Sequence, residues 1–525
     1  MRSLAQRLNR PVVAILAVAV IAGAVRLWGL SNPGDLVFDE VYYAKSGCVF
    51  IGGSDQTCLV KESAEHYWVE HKWDMGSWVH PPLGKWVTGM GIKAFGMDSF
   101  GWRFPSAVAG TLIAVMVAAM AQLLFARPVW TFIAGTLVGL DGLNVVMSRV
   151  AMLDIHLAFW VVLGFLCLVL DRRWIDRRTE QAMARADAAP QMVTIVGEDG
   201  SVSLVGGRAG SAGRGRVRVP SPLWRPWRFG AGAALGAACA VKWSGLTALA
   251  AAVPVTLIWE TTRRHRDGVS RRRAFWRTLG METLGLVLAF LLVPIVVYMV
   301  TWLPWFNHFG WNLAAWWDNH EAMWRYHREL TEFAYDEKTD SFTPTHGSYS
   351  KAWTWLIVRR PVNFFVENTP GHVAQILTVG NLALFIGTVF AIPFAAWSWA
   401  RTRDWRAGFV VVPFLTMWLP WFVVSRPQFF FYALPMTPFM ALAATYTLNA
   451  LSDARLVLRD DVTGEVALDP ETGEPAISTR HPYRPLVGVY LAVFVALFVW
   501  FWPLMVGSRL TRSFWGLHIW MRSWN

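Results

Sequence analysis

The chain has 525 residues, of which 54% are hydrophobic and only 16% are charged, and it contains 32 Trp. This composition, with its positive mean hydropathy, excludes a string of soluble domains and indicates a membrane protein. The formal net charge of +12 does not predict a nucleic-acid partner, because most basic residues lie in loops on one side of the apolar segments.

The first apolar segment covers residues 11–30 and follows Arg2, Arg7 and Arg10. Its length of about 19 residues favours an uncleaved membrane helix, with Trp28 at an interface. Small residues at 22–24 leave cleavage of a signal peptide as an alternative. The basic flank predicts that the N-terminus lies in the cytoplasm.

Ten further apolar segments follow, so the sequence predicts about eleven transmembrane helices. The eleven predicted spans cover residues 11–30, 105–125, 129–143, 151–170, 229–241, 245–259, 279–302, 381–400, 409–424, 429–448 and 486–505. The predicted fold is therefore an all-α polytopic membrane protein that forms a single domain over residues 1–525.

The basic residues test this topology independently, because cytoplasmic loops are enriched in Arg and Lys. A basic loop at 171–228 and a polar insert at 451–485 fall on the cytoplasmic side, whereas two large loops at 31–104 and 303–380 fall outside. This alternation predicts an extracytoplasmic C-terminus.

Three smaller features stand in these loops. Residues 193–196 and 202–205 flank Asp199-Gly200, which predicts a β-hairpin in the basic loop. Apolar residues from 311 to 324 recur at near-helical spacing and predict a helix in the outer interface. Cys48 and Cys58 share the first outer loop and are able to form a disulfide if that loop faces an oxidising compartment.

Charged residues beside the apolar spans are the candidates for chemistry, because charges there are costly and tend to be paired, interfacial or functional. Four groups reach the predicted outer boundary. They are Asp39 with Glu40, Arg149 with Asp154, Lys242, and Arg426. Each cation taken alone also fits an interfacial anchor, and Asp39-Glu40 also fits a solvated loop.

Three cations and a carboxylate pair at one face suit an anionic lipid headgroup and a proton acceptor. In sugar transfer from a lipid phosphate, the leaving phosphate needs cations but no general acid. The acceptor hydroxyl needs a base, and a carboxylate can supply it. No cofactor is predicted, and no metal, because the residues have no strong metal-ligand pattern.

Five motifs, in this order and on this side of the membrane, resemble the protein O-mannosyltransferase family over nearly the whole membrane region. The motifs are Phe38 to Tyr43, His80 to Lys85, Ser148-Arg149 with Leu153-Asp154, Lys242 to Gly245, and Arg426-Pro427 before an aromatic run. The chain lacks room in the second outer loop for the β-trefoil module of eukaryotic members, so it resembles the bacterial, actinobacterial-type form.

The resemblance implies a GT-C-type fold in the cell membrane and an inverting transfer of mannose from polyprenyl phosphate mannose to Ser or Thr of secreted proteins. It implies Asp39 and Glu40 as the catalytic residues, with Asp39 as general base and Glu40 helping to shape the same site. Arg149 and Lys242 would hold the donor phosphate, with Arg426 as a weaker candidate. Four residues would contact substrate or shape the site, namely His80, Asp154, Trp243 and His346.

Two alternatives remain open from the sequence. One is a polyprenyl-phosphate-dependent transferase that glycosylates a lipid or a cell-wall glycan, since fold similarity does not fix the acceptor. The other is a transporter or flippase, which the short broken spans around Lys242 would suit. Against a transporter, the charged groups gather at one membrane face and the chain has no clear inverted repeat.

Overall fold

A computed structural model describes most of the chain. The described residues are 10–60, 79–188, 191–196, 202–207, 221–266, 268–331, 333–336, 341–344, 347–457, 466, 468–469, 472 and 474–524. The predicted site residue His346 lies outside them.

Helices account for most of the described chain. In chain order they are α1 (Pro11–Leu27), α2 (Glu40–Phe50), α3 (Asp55–Cys58), α4 (Leu83–Phe95), α5 (Ser99–Phe125), α6 (Pro128–Gly139), α7 (Gly142–Met147), α8 (Leu153–Ala188), α9 (Pro226–Val241), α10 (Gly245–Arg266), α11 (Arg271–Val287), α12 (Val293–Thr301), α13 (Leu303–Phe309), α14 (Leu313–Glu329), α15 (Leu382–Thr402), α16 (Trp405–Trp418), α17 (Thr437–Asp453), α18 (Arg484–Met505) and α19 (Arg512–His518). A π-helical turn (Leu288–Leu292) joins α11 to α12, and short 3₁₀ helices cover Ala352–Ile357, Leu419–Phe422, Phe430–Met436 and Arg522–Trp524.

Each of the eleven predicted spans coincides with a helix or helical run. Six runs of the described chain are long and apolar enough to cross a membrane by themselves, namely α5, α8, α10, α11 with α12, α15 and α18. The helical, polytopic fold is confirmed, while the count of eleven spans stays a prediction.

Several helices extend beyond the predicted spans. Helix α5 begins six residues before the predicted start, because the Asp98 side chain accepts a hydrogen bond from the backbone N–H of Gly101 and caps the helix. Helix α8 continues to Ala188, since its Arg-, Ala- and Glu-rich end consists of good helix formers. Part of the predicted basic loop is therefore helical.

Small residues let the helices approach closely. A Cβ atom at Gly232 of α9 would lie 1.7 Å from the carbonyl oxygen of Ala289 in the π-helical turn. Only glycine permits this backbone contact, which resembles the small-residue interfaces of membrane helices.

Seven strands complete the described structure, in three antiparallel sheets. The strands are β1 (Gln191–Val196), β2 (Val202–Gly207), β3 (Phe333–Asp336), β4 (Ser341–Pro344), β5 (Asn363–Thr369), β6 (His372–Leu377) and β7 (Arg509–Thr511). The pair β1–β2 confirms the predicted hairpin. Sequence analysis predicted neither the β3–β4 hairpin nor the β5–β6–β7 sheet, so the loop at 303–380 is more ordered than expected.

The end of the chain packs on this three-stranded sheet. Strand β7 pairs with β6 in register from His372 with Thr511 to Ala374 with Arg509. The Trp524 ring is buried, and its Nε1 donates to the carbonyl of Val358 at 2.9 Å. Residues 509–524 therefore hold the second outer loop.

The first outer loop is fixed by helices and a disulfide. Helices α2, α3 and α4 lie in it, and Cys48 at the end of α2 is bonded to Cys58 of α3, with their Cα atoms 5.4 Å apart. The sequence left the pairing of these cysteines open, and the structure contains the bond. Because α2 begins beside Asp39, this loop positions the candidate base.

Candidate active site

Asp39 stands immediately before α2, in a backbone turn held by aromatic contacts. The preceding residue, Phe38, has a φ of +53°, which is uncommon and strained for a bulky side chain. Its ring stacks on Phe364 of β5, with centroids 4.5 Å apart, and meets the edge of Phe431 at 6.2 Å. Packing from three parts of the chain thus fixes the direction in which Asp39 points.

Glu40, the neighbour of Asp39, is fully buried and its carboxylate is engaged on both oxygens. Arg103 donates to Oε1 and Oε2 at 2.8 Å each. The backbone N–H groups of Ala151 and Val37 donate to Oε1 and Oε2, at 2.8 and 2.9 Å. Glu40 therefore anchors the loop that carries Asp39 and shapes the site through the backbone.

Arg103 extends the same anchor. Besides Glu40, its guanidinium donates to three carbonyl groups of the segment that leads to Asp39, those of Leu30, Pro33 and Asp35. A buried ion pair whose remaining donors are all satisfied holds a single backbone geometry. Arg103 therefore holds the chain both before Asp39, through three carbonyl groups, and directly after it, through Glu40.

Lys242 and Asp154 form an ion pair where α9 ends and α8 begins. The Lys242 ammonium lies 3.0 Å from each carboxylate oxygen of Asp154. It also stands over the rings of Tyr432 and Phe431, 4.7 and 5.8 Å from their centroids. Two residues that are 88 positions apart in the chain thus converge, as their predicted place at one membrane boundary implies.

The pKa of Asp39 is raised to about 6. Burial is the largest cause, since it disfavours the charged carboxylate. The positive charge of Lys242 opposes the shift and the negative charge of Asp154 adds to it. Asp39 is therefore within electrostatic reach of the Lys242–Asp154 pair, and it is more basic than an exposed carboxylate while remaining mostly ionised at pH 7.

Arg426 joins the site through a histidine of helix α14. Its guanidinium lies 2.6 Å from Nδ1 of His327 and donates to the Tyr432 hydroxyl at 3.0 Å. Since Nε2 of His327 lies 3.0 Å from the carbonyl of Val79, Nε2 carries the proton and Nδ1 accepts from Arg426. Burial and the charge of Arg426 lower the pKa of His327 to about 3, which keeps the ring neutral.

His80 lies against His327, with ring centroids 5.2 Å apart. Its carbonyl accepts a hydrogen bond from the buried Lys85 at 2.9 Å. Burial, with the charges of Lys242, Lys85 and Arg426, holds the pKa of His80 well below its usual value. The ring is therefore a neutral wall of the site.

Trp243 connects the site to helix α14 by a second chain of hydrogen bonds. Its Nε1 donates to the Tyr298 hydroxyl at 3.1 Å, which in turn lies 2.8 Å from Nε2 of His320. Nδ1 of His320 lies 2.8 Å from the carbonyl of Trp316. Because that carbonyl can only accept, Nδ1 donates and Nε2 accepts from Tyr298. The indole N–H of Trp243 is thus committed to Tyr298, and the face of its ring is the part that can contact a substrate.

Arg149 is placed differently from the prediction that it holds the donor phosphate. Its guanidinium donates to the carbonyl groups of Val25, Arg26, Trp28 and Gly29, at 3.2, 2.9, 2.7 and 3.0 Å. These are carbonyls that the end of α1 leaves without helical partners. Arg149 thus caps α1, and its terminal nitrogens are committed to the protein.

Arg426, predicted as the weaker phosphate candidate, has the better geometry. Its side chain is half-buried, and its Nε is a buried donor that has no hydrogen-bond partner among the described residues. A buried donor left unpaired is costly, so a ligand is the natural partner for it. Lys242 and Arg426 are therefore the two cations best placed for a phosphate.

No group of three or more His, Cys, Asp or Glu side chains could hold a metal ion in the part of the chain that the structure describes. Metal independence itself stays a prediction.

Sequence reasoning overlooked Arg103 and the aromatic partners Phe364 and Tyr298. Arg103 carries a signal that could have found it, since it lies two residues before the predicted span at 105–125, where a charge is costly. Phe364 has no such signal in the sequence, because it reaches Phe38 only when the second outer loop folds.

Comparison with known proteins finds a family over both halves of the chain. Residues 16–184 match the family described as dolichyl-phosphate-mannose-protein mannosyltransferase. Residues 312–524 match the C-terminal four TMM region of protein-O-mannosyltransferase. The two matches include Asp39, Asp154 and Arg426.

Relatives and a solved structure agree with this match. The chain is 29% identical, over 97% of its length and 92% of the relative, to the polyprenol-phosphate-mannose--protein mannosyltransferase of Mycolicibacterium smegmatis. It is also 29% identical to the protein of that name from Mycobacterium tuberculosis, over 97% of this chain and 90% of the other. The Saccharomyces cerevisiae protein O-mannosyltransferase Pmt1-Pmt2 complex bound to the sugar donor superposes with a TM-score of 0.67 at 13% identity, over 100% of this chain and 93% of the other. The last likeness shows the same GT-C-type fold.

Proposed function

This chain belongs to the protein O-mannosyltransferase family, and we propose that it transfers mannose from polyprenyl phosphate mannose to Ser or Thr hydroxyl groups of secreted proteins. The observation that carries the proposal is the position of Asp39. A carboxylate with a raised pKa lies within electrostatic reach of the Lys242–Asp154 pair. A proton acceptor beside an anion-binding cation is what transfer from a lipid phosphate requires.

The reaction is a single displacement at the anomeric carbon of mannose. The Asp39 carboxylate takes the proton of the acceptor hydroxyl while its oxygen forms the new bond to that carbon. The bond from the carbon to the phosphate oxygen breaks, and the phosphate leaves with the electron pair. Because attack and departure occur on opposite faces, the sugar is inverted.

Lys242 and Arg426 stabilise the charge on the departing phosphate in this proposal. Both are held in advance, Lys242 by Asp154 and Arg426 by His327 and Tyr432. Fixed cations need no rearrangement as charge develops, which lowers the barrier more than mobile ones do.

The other predicted residues support this core. Glu40 fixes the loop of Asp39, Arg149 caps α1, and His80 and Trp243 shape the walls. His346 stays a candidate for the acceptor side. We place the site on the extracytoplasmic face of the cell membrane, with a cytoplasmic N-terminus, because the Arg-rich segments lie at the opposite ends of the spans. Transfer is expected to need no metal or other cofactor.

The test supplies polyprenyl phosphate mannose to membranes that contain the protein, with either a Ser/Thr-rich secreted peptide or a lipid-linked or cell-wall glycan as acceptor. Mannose is expected on the peptide hydroxyls, and to the same extent with a chelator present. Labelling of the glycan but never of the peptide would replace the protein acceptor by the rival substrate. Loss of activity with chelator, restored by magnesium, would refute the metal-independent mechanism.

A further inference from the structure

At the end of the bundle away from Asp39, a cavity of about 470 Å³ lies between α10 and the pair α15–α16. Helix α10 starts three residues after Lys242 and ends at Arg266, which lines the cavity. The lining of the cavity begins at Val255, ten residues into α10, so at 1.5 Å per residue its nearest wall lies about 15 Å along the helix from the start of α10. The cavity is therefore not a part of that site.

The walls of the cavity are apolar and aromatic. The ring of Trp259 in α10 meets Trp405 edge-on, with ring centroids 5.3 Å apart. Its centroid also lies 5.6 Å from that of Phe409, whose ring is tilted by 34°. Gly408 lets the Trp399 ring lie on the backbone of α16, since a Cβ there would approach the ring to 2.6 Å. The volume lies within the range of small-molecule pockets, roughly 300–1,000 Å³. Such walls suit a hydrocarbon chain.

The rim of the cavity is cationic. Arg266, Arg271 and Arg403 line it, and no Asp or Glu is among its lining residues. Within the described chain, none of these three arginines forms an ion pair, whereas the nearby Arg263 and Arg264 are both paired with Glu260. The exposed rim arginines are thus left available to an anion.

Two observations strengthen the case for a ligand. The Thr261 hydroxyl oxygen, on the lining, is buried and has no hydrogen-bond partner among the described residues. Behind the aromatic wall, the Arg172 guanidinium lies 4.3 Å from the Trp405 ring and 5.1 Å from the Trp259 ring. A buried hydroxyl lacks a partner, and a further positive charge adds to the potential inside the cavity.

We propose that this cavity binds an anionic phospholipid. Arg266, Arg271 and Arg403 hold the headgroup phosphate, and an acyl chain lies along the aromatic wall. Basic pockets between membrane helices suit such headgroups. On α15, Phe390 and Trp397 are exposed, so lipid surrounds this side of the bundle. Inorganic phosphate has no hydrocarbon part and would leave the apolar walls without a contact.

The test titrates a fluorescently labelled phosphatidylglycerol against the purified full chain in neutral detergent. Arg266→Gln with Arg403→Gln is compared with the matched pair Arg272→Gln with Arg401→Gln. The matched pair removes the same charge from exposed positions on α11 and α15, close to the rim in sequence, but lies outside the cavity lining. The first pair is expected to weaken binding about 30-fold, because each arginine near an anionic lipid contributes roughly fivefold. The matched pair should stay near the wild-type affinity.

Competition experiments separate the possible ligands. Unlabelled phosphatidylglycerol is expected to displace the probe, while phosphatidylcholine and inorganic phosphate at equal concentration do not. Equal weakening by both double variants, or displacement by phosphatidylcholine, would overturn the proposal. Displacement by inorganic phosphate or only by polyprenyl phosphate would also overturn it, in favour of a free-phosphate or donor-lipid site. If the double variant fails to fold, Arg271→Gln alone, on the exposed start of α11, tests the same rim.

Discussion

The two ends of the helical bundle both gather buried charges, but they satisfy them differently. At the end opposite the candidate active site, each carboxylate oxygen of Asp171, Glu260 and Glu282 contacts an arginine. The arginines are Arg225, Arg228, Arg263 and Arg264. These contacts close a network across α8, α9, α10 and α11.

At the active-site end the charges are left partly open. Lys242 contacts one carboxylate, Arg426 has an unpartnered buried Nε within the described residues, and Asp39 has a raised pKa. Carboxylates whose oxygens are all paired hold helices together, although the Arg228 Nε in this network has no hydrogen-bond partner among the described residues and lies 3.7 Å from Asp171. A buried donor such as the Arg426 Nε, which has no carboxylate beside it in the described chain, costs free energy that a ligand can offset. The comparison indicates that the first end stabilises the fold and the second performs chemistry.

The largest expected effect on activity follows from Asp39→Asn. Loss of the general base should lower kcat about 100- to 10,000-fold, with a much smaller change in the KM for the donor. Mannosyl transfer to peptide by the purified variant measures both constants. The matched control is Asp35→Asn, the same change at an exposed position of the same loop. Normal kcat in Asp39→Asn would remove Asp39 as the base.

The pH profile of the wild-type enzyme tests the same residue without a mutation. Asp39 must be deprotonated to act, and its pKa is about 6. Activity should thus be constant from pH 7 to 8 and fall about tenfold for each pH unit well below 6. A fall that begins only near pH 4 would contradict the raised pKa.

The next largest effect is expected on binding of the donor phosphate. It shows which of the three candidate cations, Lys242, Arg426 and Arg149, contacts that phosphate. Lys242→Gln and Arg426→Gln each remove a charged hydrogen bond of about 1.5–3 kcal/mol to the phosphate. Each should therefore lower kcat/KM for polyprenyl phosphate mannose about 10- to 100-fold and raise the KM for this donor. Arg149→Gln should instead lower the thermal midpoint, because it uncaps α1. Lys242→Arg, which can keep the pair with Asp154, is the control. A raised donor KM in Arg149→Gln alone would restore the prediction from the sequence.

The smallest effect on activity is expected at the opposite end. Glu282→Gln removes the carboxylate that Arg228 and Arg264 share but leaves both arginines within 3.5 Å of Glu260. Because charged hydrogen bonds are lost, the free energy of unfolding should fall by about 1.5–3 kcal/mol. The folded fraction should keep its kcat. Asp453→Asn, in a pair with Arg127 whose side chains are 49% and 44% exposed, should cost only about 0–1 kcal/mol. A large loss of kcat in the folded Glu282→Gln variant would contradict the conclusion that this end of the bundle stabilises the fold and takes no part in the chemistry.

Much of the architecture could be predicted from the sequence, because long apolar runs and the side on which Arg accumulates are local properties. Asp39, Asp154, Lys242 and Arg426 could be assigned to one boundary for the same reason. Their pairing could not be predicted, since whether Arg149 reaches a phosphate or the carbonyls of α1 depends on how the turn between α7 and α8 lies against the end of α1.

The sheet β5–β6–β7 shows a second limit. Strand β7 pairs with β6 across more than 130 residues, and a three-residue strand has no periodicity that sequence analysis can detect. Phe364, whose ring stacks on Phe38 beside Asp39, lies on β5 at the other edge of the same sheet. The surroundings of the base were therefore less predictable than the base.

The burial of Trp524 has a consequence for the synthesis of the enzyme. Residues 509–524, which pair with β6 and bond to Val358, follow the last predicted span, α18, in the chain. The sheet of the second outer loop is therefore completed only after every predicted span has been synthesised. A chain that stops before Arg509 would keep every predicted span and yet leave one edge of β6 without its partner strand.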